Sequence, residues 1–231
     1  MKLIISEKAI AGKKIASILS KNKFTTIKDK GVDTFKFIKD DEEHLLIPLR
    51  GHINTVDFVE ENSFWSIYNL DLLANKPFIY KEVEKRIIAL LKEKRKELTE
   101  IIIATDADRE GEAIGLEAYD YVKQKNQTAD LKRAYFSALI DKEVNDAFKN
   151  LRKLDFNYAY SVFARQEIDL LWGAILTRYL SVISNRKGKL FLSAGRVQTP
   201  LLNLIVEKEI EREKFVPEKY RVIRILFEKQ K

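Results

Sequence analysis

The 231-residue chain contains no cysteine, which excludes disulfides and zinc sites built on thiolates. No stretch is long and apolar enough to suggest a membrane span, and the apolar run in the opening MKLIISEKAIAGKK is too short for a signal peptide. A cytoplasmic protein with no membrane partner is the expectation. Repeats, low-complexity tracts and Gly/Ser linkers are missing too. One absence is local: from Leu170 through Val206 there is no acidic residue, although the chain holds 35 Asp and Glu. Arg178, Arg186, Lys187, Lys189 and Arg196 all fall in that gap. With a formal net charge of +7, this points to a surface reserved for phosphate and to nucleic acid as the anionic partner, set against the plainer reading of solvated basic side chains.

What is present suits one large domain or two small ones with a real core. Charged residues reach 33%, dominated by Lys and Glu, and with abundant Ile this leans towards a hot-adapted source. Residues 2–5 read as a short buried strand and Ile10 to Leu19 as a helix with one apolar stripe. TFKFI (34–38) and HLLIPL (44–49) suggest a hairpin turning at Asp40-Asp41. Glu82 to Leu98 reads as a charged amphipathic helix, EIIIAT (100–105) as a strand inside a parallel sheet, Glu110 to Lys125 as the next helix and RAYFS (133–137) as another strand. This alternation predicts an α/β fold, a parallel sheet flanked by helices. After Ser137 the pattern becomes mostly helical, over 142–150, 156–183 and 194–215, before strand character returns at 214–229 behind Pro217. The expected division is 1–137, a helical unit at 138–216, and the start of a further unit at 217–231.

The segment TDADREGEAIG (105–115) crowds Asp106, Asp108, Glu110 and Glu112 around Arg109. Like charges repel, so either water dilutes them or something positive sits among them. Asp106 and Asp108 follow a buried strand at the carboxyl edge of the sheet, where open α/β sheets hold ligands. Two apart in extended chain, they face one point. Converging carboxylate oxygens suit Mg²⁺, though Mn²⁺ satisfies the same demand, and acids at a helix start also simply favour the helix dipole. Glu7 follows the first strand directly, with Lys8 after it. If its strand neighbours that of Asp106, one pocket gathers four acids, a metal and a lysine, and a glutamate there can hold a proton.

Glu7-Lys8 after the first strand, followed by DADREGE, resembles the Toprim domain of type IA DNA topoisomerases. LSAGRVQTP (192–200) resembles that family's Ser-Ala-Gly-Arg-Val-Gln-(Ser/Thr) segment, ARQEIDLLWGAILTR (164–178) its companion helix, KEIEREKFVPEKY (208–220) the helix leading to the gate domain, and GHI (51–53) a Gly-His-Leu-like turn. These matches stand in family order over essentially all 231 residues. The acidic motif alone is shared with primases and some nucleases; the 192–200 segment argues against those. Reverse gyrases usually carry another residue at the position of Arg109, so the chain looks more like topoisomerase I or III; Ala9 stands where the latter usually have Pro.

The resemblance implies transesterification in which a tyrosine attacks one DNA strand, leaving a 5′-phosphotyrosine and a free 3′-hydroxyl. It implies Glu7 as proton donor and acceptor for the 3′-oxygen, Lys8 against the scissile phosphate, and Glu7, Asp106, Asp108 and Glu110 around Mg²⁺. It places Ser193, Ala194, Gly195, Arg196, Val197 and Gln198 on single-stranded DNA, with Arg165, Asp169, His52 and Arg109 alongside. Arg165 and Asp169, four apart on a helix, can also pair with each other. Trp172, Phe163 and Tyr179 could stack on bases but stand at spacing more typical of core. None of the nine tyrosines fits the family's Thr-Tyr-x-Arg context. The expectation is therefore a tyrosine on a missing segment or on a second chain, and a chain that alone binds single-stranded DNA and Mg²⁺ without cleaving. A regulatory DNA-binding module that lacks strand passage is the alternative.

Overall fold

The computed structural model describes residues 1–59, 65–75, 77–95, 98–123, 129–186 and 188–228. Its elements in chain order are β1 (Lys2–Ser6), α1 (Ala9–Ser20), β2 (Phe24–Asp29), β3 (Val32–Lys39), β4 (Glu42–Pro48), β5 (Asn54–Phe58), α2 (Leu70–Ala74), β6 (Phe78–Glu82), α3 (Lys85–Lys94), β7 (Glu100–Ile103), α4 (Arg109–Lys123), β8 (Asp130–Arg133), α5 (Asp141–Lys149), α6 (Phe156–Ile183) and α7 (Gln198–Lys214). Six strands form one sheet in the order β2-β3-β4-β1-β7-β8, and β5 and β6 pair separately. β1 runs parallel to β4 and β7, and β7 parallel to β8, while β3 is antiparallel to both β2 and β4. The fold is thus α/β, a mainly parallel sheet flanked by helices, followed by a helical part.

Side chains alternate across a strand, and here both faces are covered. Leu3, Ile5, Leu45, Ile47, Ile101 and Ile103 pack with Ile87, Leu91, Leu116 and Val122 of α3 and α4. Ile4, Leu46 and Ile102 pack with Ile15, Leu19, Val144 and Ala147 of α1 and α5 on the other face. That is why the central strands read as unbroken apolar runs. Gly115 lets α4 lie close: a Cβ there would meet Ile103 Cγ2 at 2.3 Å.

The hairpin at Asp40-Asp41 is present, both residues taking positive φ of 54° and 58°, the backbone twist that two-residue hairpin loops favour. Several expectations need correction. β8 ends at Arg133 instead of covering 133–137, because its partner β7 stops at Ile103, in register with Arg133. α3 is shorter than 82–98: Glu82 belongs to β6, and Lys96 and Glu97 lie outside the described residues. α4 starts one residue early, at Arg109, and Lys125 lies outside the described residues, as do Lys187 and Lys229 to Lys231. α7 starts at Gln198, leaving 194–197 as a turn. Residues 215–228 carry no regular structure and are exposed; a strand needs a partner for its backbone groups, and none of the described residues pairs with it. No described helix is long and apolar enough to cross a membrane.

Candidate active site

β1 and β7 are neighbours in register, Ile5 opposite Ile103, so the turns that follow them leave the same sheet edge together. Glu7 comes off the first and Asp106 off the second. Lys8 reaches both carboxyls, and the charge of Glu7 bears on Asp106. Lys8 Nζ stands 2.9 Å from Glu7 Oε1 and 3.9 Å from Asp106 Oδ2, with 65% of its side chain exposed. Partial burial first, then the negative charges of Glu7 and Asp108, raise Asp106 above the usual carboxylate range against the pull of Lys8. Its neighbours in turn raise Lys8, Glu7 foremost. Lys8 is thus the cation of a site with more than one carboxylate.

The remaining acids of the segment are handled differently. Asp108 caps α4, its Oδ1 accepting from Gly111 N at 2.7 Å, while its charge bears on Asp106. Both oxygens of Glu110 have other partners. Its Oε1 accepts from Arg165 Nη1 at 3.0 Å and its Oε2 lies 3.1 Å from His52 Nε2. Glu112 is buried, 2% exposed, and paired with Arg133, whose Nε donates to its Oε1 at 2.7 Å. The crowding in the sequence is therefore resolved by three separate cations, Lys8, Arg165 and Arg133, with His52 beside the second.

Among the described residues no group of three or more His, Asp or Glu side chains closes into a ready-made metal cage. Mg²⁺ does not require one: it keeps several waters and binds through one or two carboxylates. Asp106 and Asp108, with Glu7 beside Asp106, fit that demand in donor chemistry. Glu110 is engaged elsewhere.

His52 sits in the turn after Gly51 and bridges two glutamates of α4, its Nδ1 lying 2.8 Å from Glu117 Oε1. Burial disfavours its charge, but Glu117 and then Glu110 outweigh that and raise it above the usual histidine range. Glu117 Oε2 also accepts from Ile53 N at 2.9 Å and Asn54 N at 3.3 Å, which fastens the 51–54 turn to α4.

The 192–198 segment is fastened to α6 by side chains one and two turns apart. Ser181 Oγ accepts from Leu192 N at 2.9 Å and Thr177 Oγ1 from Ala194 N at 3.0 Å. Asp169 receives both Arg196 Nε and, at 3.1 Å, Arg196 Nη2, while Arg165 Nε lies 3.6 Å from it. The two arginines hold Asp169 well below the usual carboxylate range, Arg196 contributing most. Gln198 Nε2 donates to Ser193 Oγ at 2.8 Å, and Gly195 N donates to Thr199 Oγ1 at 3.2 Å. Ala194 is buried and Val197 exposed; Arg109 is exposed on the first turn of α4. Arg165 thus touches both Glu110 of the acidic segment and Asp169 of α6, which in turn holds Arg196.

Beside this segment lies a cleft of about 820 Å³ lined by Trp65, Leu170, Ala174, Arg178, Arg186 and Phe191 among others. Arg178 lies 5.8 Å from the Trp65 ring centroid, and Phe191 meets Trp65 edge-on at 6.0 Å. Trp65 had no signal in the sequence, standing alone in a segment without periodicity. Thr177 and Ser181 were equally silent, and Arg133 looked like any arginine at a strand end. Glu117 had a faint signal, one acid among Ile114, Leu116 and Ala118. Trp172 and Tyr179 are 54% and 43% exposed and do not belong to the core, whereas Phe163 packs against it.

Comparison with known proteins identifies the family. Residues 2–139 match the Toprim domain and residues 153–231 match the family described as DNA topoisomerase. The chain is 45% identical over 226 residues to DNA topoisomerase 1 of Archaeoglobus fulgidus, covering 98% of this chain and 34% of that protein. It is 42% identical over 228 residues to DNA topoisomerase 1 of Thermoplasma acidophilum, covering 99% and 29%. Similarity extends to DNA topoisomerase 3-alpha of Arabidopsis thaliana, 28% over 242 residues, covering 96% and 26%. The chain belongs to the type IA DNA topoisomerase family, of which it carries the Toprim domain and part of the DNA topoisomerase region. It spans about a third of the length of its Archaeoglobus and Thermoplasma relatives.

Proposed function

We propose that this chain supplies the metal-binding and strand-binding part of a type IA topoisomerase, acting with a catalytic tyrosine carried on further sequence or on a second chain. The observation that carries the reading is the meeting of Glu7, Lys8 and Asp106 at one sheet edge, joined through Arg165 to the segment around Arg196. In this reading residues 1–137 form the metal-binding unit, 138–216 the strand-binding unit, and 217–231 begin another.

Asp106 and Asp108 would hold Mg²⁺, with Glu7 alongside and Glu110 reaching the ion only on release from Arg165 and His52. A bound Mg²⁺ would orient the 3′-hydroxyl and offset phosphate charge during rejoining. Glu7 exchanges a proton with the 3′-oxygen, donating as the strand is cut and accepting as it is resealed. Lys8 offsets the charge of the scissile phosphate. Arg196, Gln198 and Ser193, with the main chain at Ala194, Gly195 and Val197, grip the backbone of one strand; Arg165, Asp169, His52 and Arg109 flank it. The cleft lined by Trp65 and Arg178 accepts an unstacked base.

Two tyrosines are poor candidates for the attacking group. Tyr80 donates to Glu167 Oε1 at 2.9 Å and Tyr121 to Asn54 Oδ1 at 2.7 Å. Burial, foremost, raises both phenols above their ordinary value, the reverse of what a nucleophile needs.

The test is relaxation of negatively supercoiled plasmid in Mg²⁺. The chain alone is expected to bind single-stranded oligonucleotides and leave the plasmid unchanged. Adding the tyrosine-bearing remainder of a relative is expected to produce relaxation and denaturant-trapped breaks. Relaxation by the pure chain would overturn the missing-tyrosine reading; oligonucleotide binding with no breaks in any mixture would favour the regulatory module.

A further inference from the structure

We propose that Arg133 is a positioning residue for the acidic loop, its guanidinium clamping the backbone from Ile103 to Asp106 so that Asp106 and Asp108 face the sheet edge. The proposal rests on the reading of those aspartates as holders of a divalent ion. Arg133 is 1% exposed. Its Nη1 donates to the carbonyls of Ile103 at 3.3 Å, Thr105 at 3.0 Å and Ala134 at 2.6 Å, and its Nη2 to the carbonyl of Asp106 at 2.7 Å. Its Nε is on Glu112.

An ion pair that served only the core would need Glu112 and nothing more. The clamp goes further, because β7 and β8 stop pairing at Ile103 and Arg133, and the carbonyls beyond lack a strand to satisfy them. Buried acceptors without donors are costly, and a planar fork of five N–H groups is the side chain that can serve several at once. The same contacts place a fixed positive charge behind a loop that presents two aspartates, which offsets their mutual repulsion.

Neighbouring groups extend the clamp. Tyr135 hydroxyl donates to the Ala107 carbonyl at 3.2 Å, and its ring lies 5.4 Å from the Arg133 guanidinium and 4.5 Å from that of Arg152. The backbones of Arg133 and Arg152 exchange two hydrogen bonds of 2.9 Å. Glu112 Oε2 accepts from Asp155 N at 3.1 Å, and Asp155 Oδ1 caps α6 through Asn157 N and Tyr158 N. One buried arginine thereby sets the acidic loop in register with the helix that carries Arg165 and Asp169.

The experiment uses the full chain with Arg133→Lys, which keeps the charge but cannot reach four carbonyls. Mn²⁺ binding is titrated by electron paramagnetic resonance. A nitroxide attached through Ala107→Cys, the single thiol in an otherwise cysteine-free chain, reports loop motion without added metal. Arg133→Lys is expected to weaken Mn²⁺ binding by about 10- to 100-fold and to mobilise the label. Single-stranded oligonucleotide affinity in EDTA is expected to stay within about twofold of wild type, since the groups facing the strand are untouched. Unchanged Mn²⁺ affinity and an unchanged label spectrum in the folded variant overturn the proposal.

Should that variant fail to fold, the paired change Arg133→Gln with Glu112→Gln removes both charges together, with the same outcomes expected. If neither folds, Arg133 serves core stability alone and the proposal is wrong. If wild type binds no Mn²⁺, the metal reading fails, while the label still decides whether Arg133 orders the loop.

Discussion

A histidine shows how much a residue's role depends on where the chain sends it. His44 and His52 are the two histidines of the sequence, and their surroundings drive them in opposite directions. His44 stacks on Phe37 with ring centroids 5.3 Å apart and sits 3.0 Å from the Glu42 carbonyl; burial, foremost, lowers its pKa below the ordinary 6.5. His52, between two carboxylates, is raised. A histidine kept neutral by the fold binds fewer protons than in the unfolded chain, so the stability it supplies is full above the unfolded value and is lost as pH falls through that value towards the lowered one. His52 acts above 6.5, so the comparison belongs below it. Between pH 6.5 and 5, the free energy of urea unfolding is expected to fall more steeply for wild type than for His44→Gln. Parallel slopes would show that His44 is not held neutral.

Elements place these residues by approach as much as by pattern. Gly111 lies in the first turn of α4, where alanine would ordinarily be the better helix former by about 1 kcal/mol. Here a Cβ would meet the Asp106 carbonyl oxygen at 2.1 Å, the same oxygen that Arg133 holds. Gly111→Ala is therefore expected to displace the loop and weaken Mn²⁺ binding at least about tenfold, in line with losses from disturbed supporting groups, while circular dichroism retains the helices. Undiminished Mn²⁺ affinity would mean that the loop tolerates the shift. This contact was invisible in the sequence, where Gly111 reads only as a small residue between two glutamates. The central strands were legible because burial on both faces leaves unbroken Leu and Ile. β2 was not, since FTTIKD at the sheet edge exposes most of its side chains; β5 and β6, a separate pair of mostly half-buried or exposed residues, were missed as well. Residues 215–228 show the reverse error: the composition is strand-like, but none of the described residues pairs with them.

At the scale of the molecule, a sheet with β1 central and β7 beside it brings residues about 100 positions apart to one edge. That juxtaposition could be inferred from the sequence, because both segments end buried strands at their carboxyl ends. The partition of the acids could not. Four carboxylates read as one cluster, yet Glu112 serves a buried arginine and Glu110 is turned to Arg165 and His52, and nothing in DADREGE distinguishes them. In the proposed function the ion belongs to the Glu7 side of that partition, beside the Arg196 segment proposed to hold a single strand. The most direct measurement is an anomalous-difference map from crystals of the chain grown with Mn²⁺ and a short single-stranded oligonucleotide. The expected result is a peak coordinated by Asp106 and Asp108 with Glu7 alongside, and a phosphate of the strand against Lys8. A peak held instead by Glu110 and Glu117, or a strand bound away from Arg196, would contradict it.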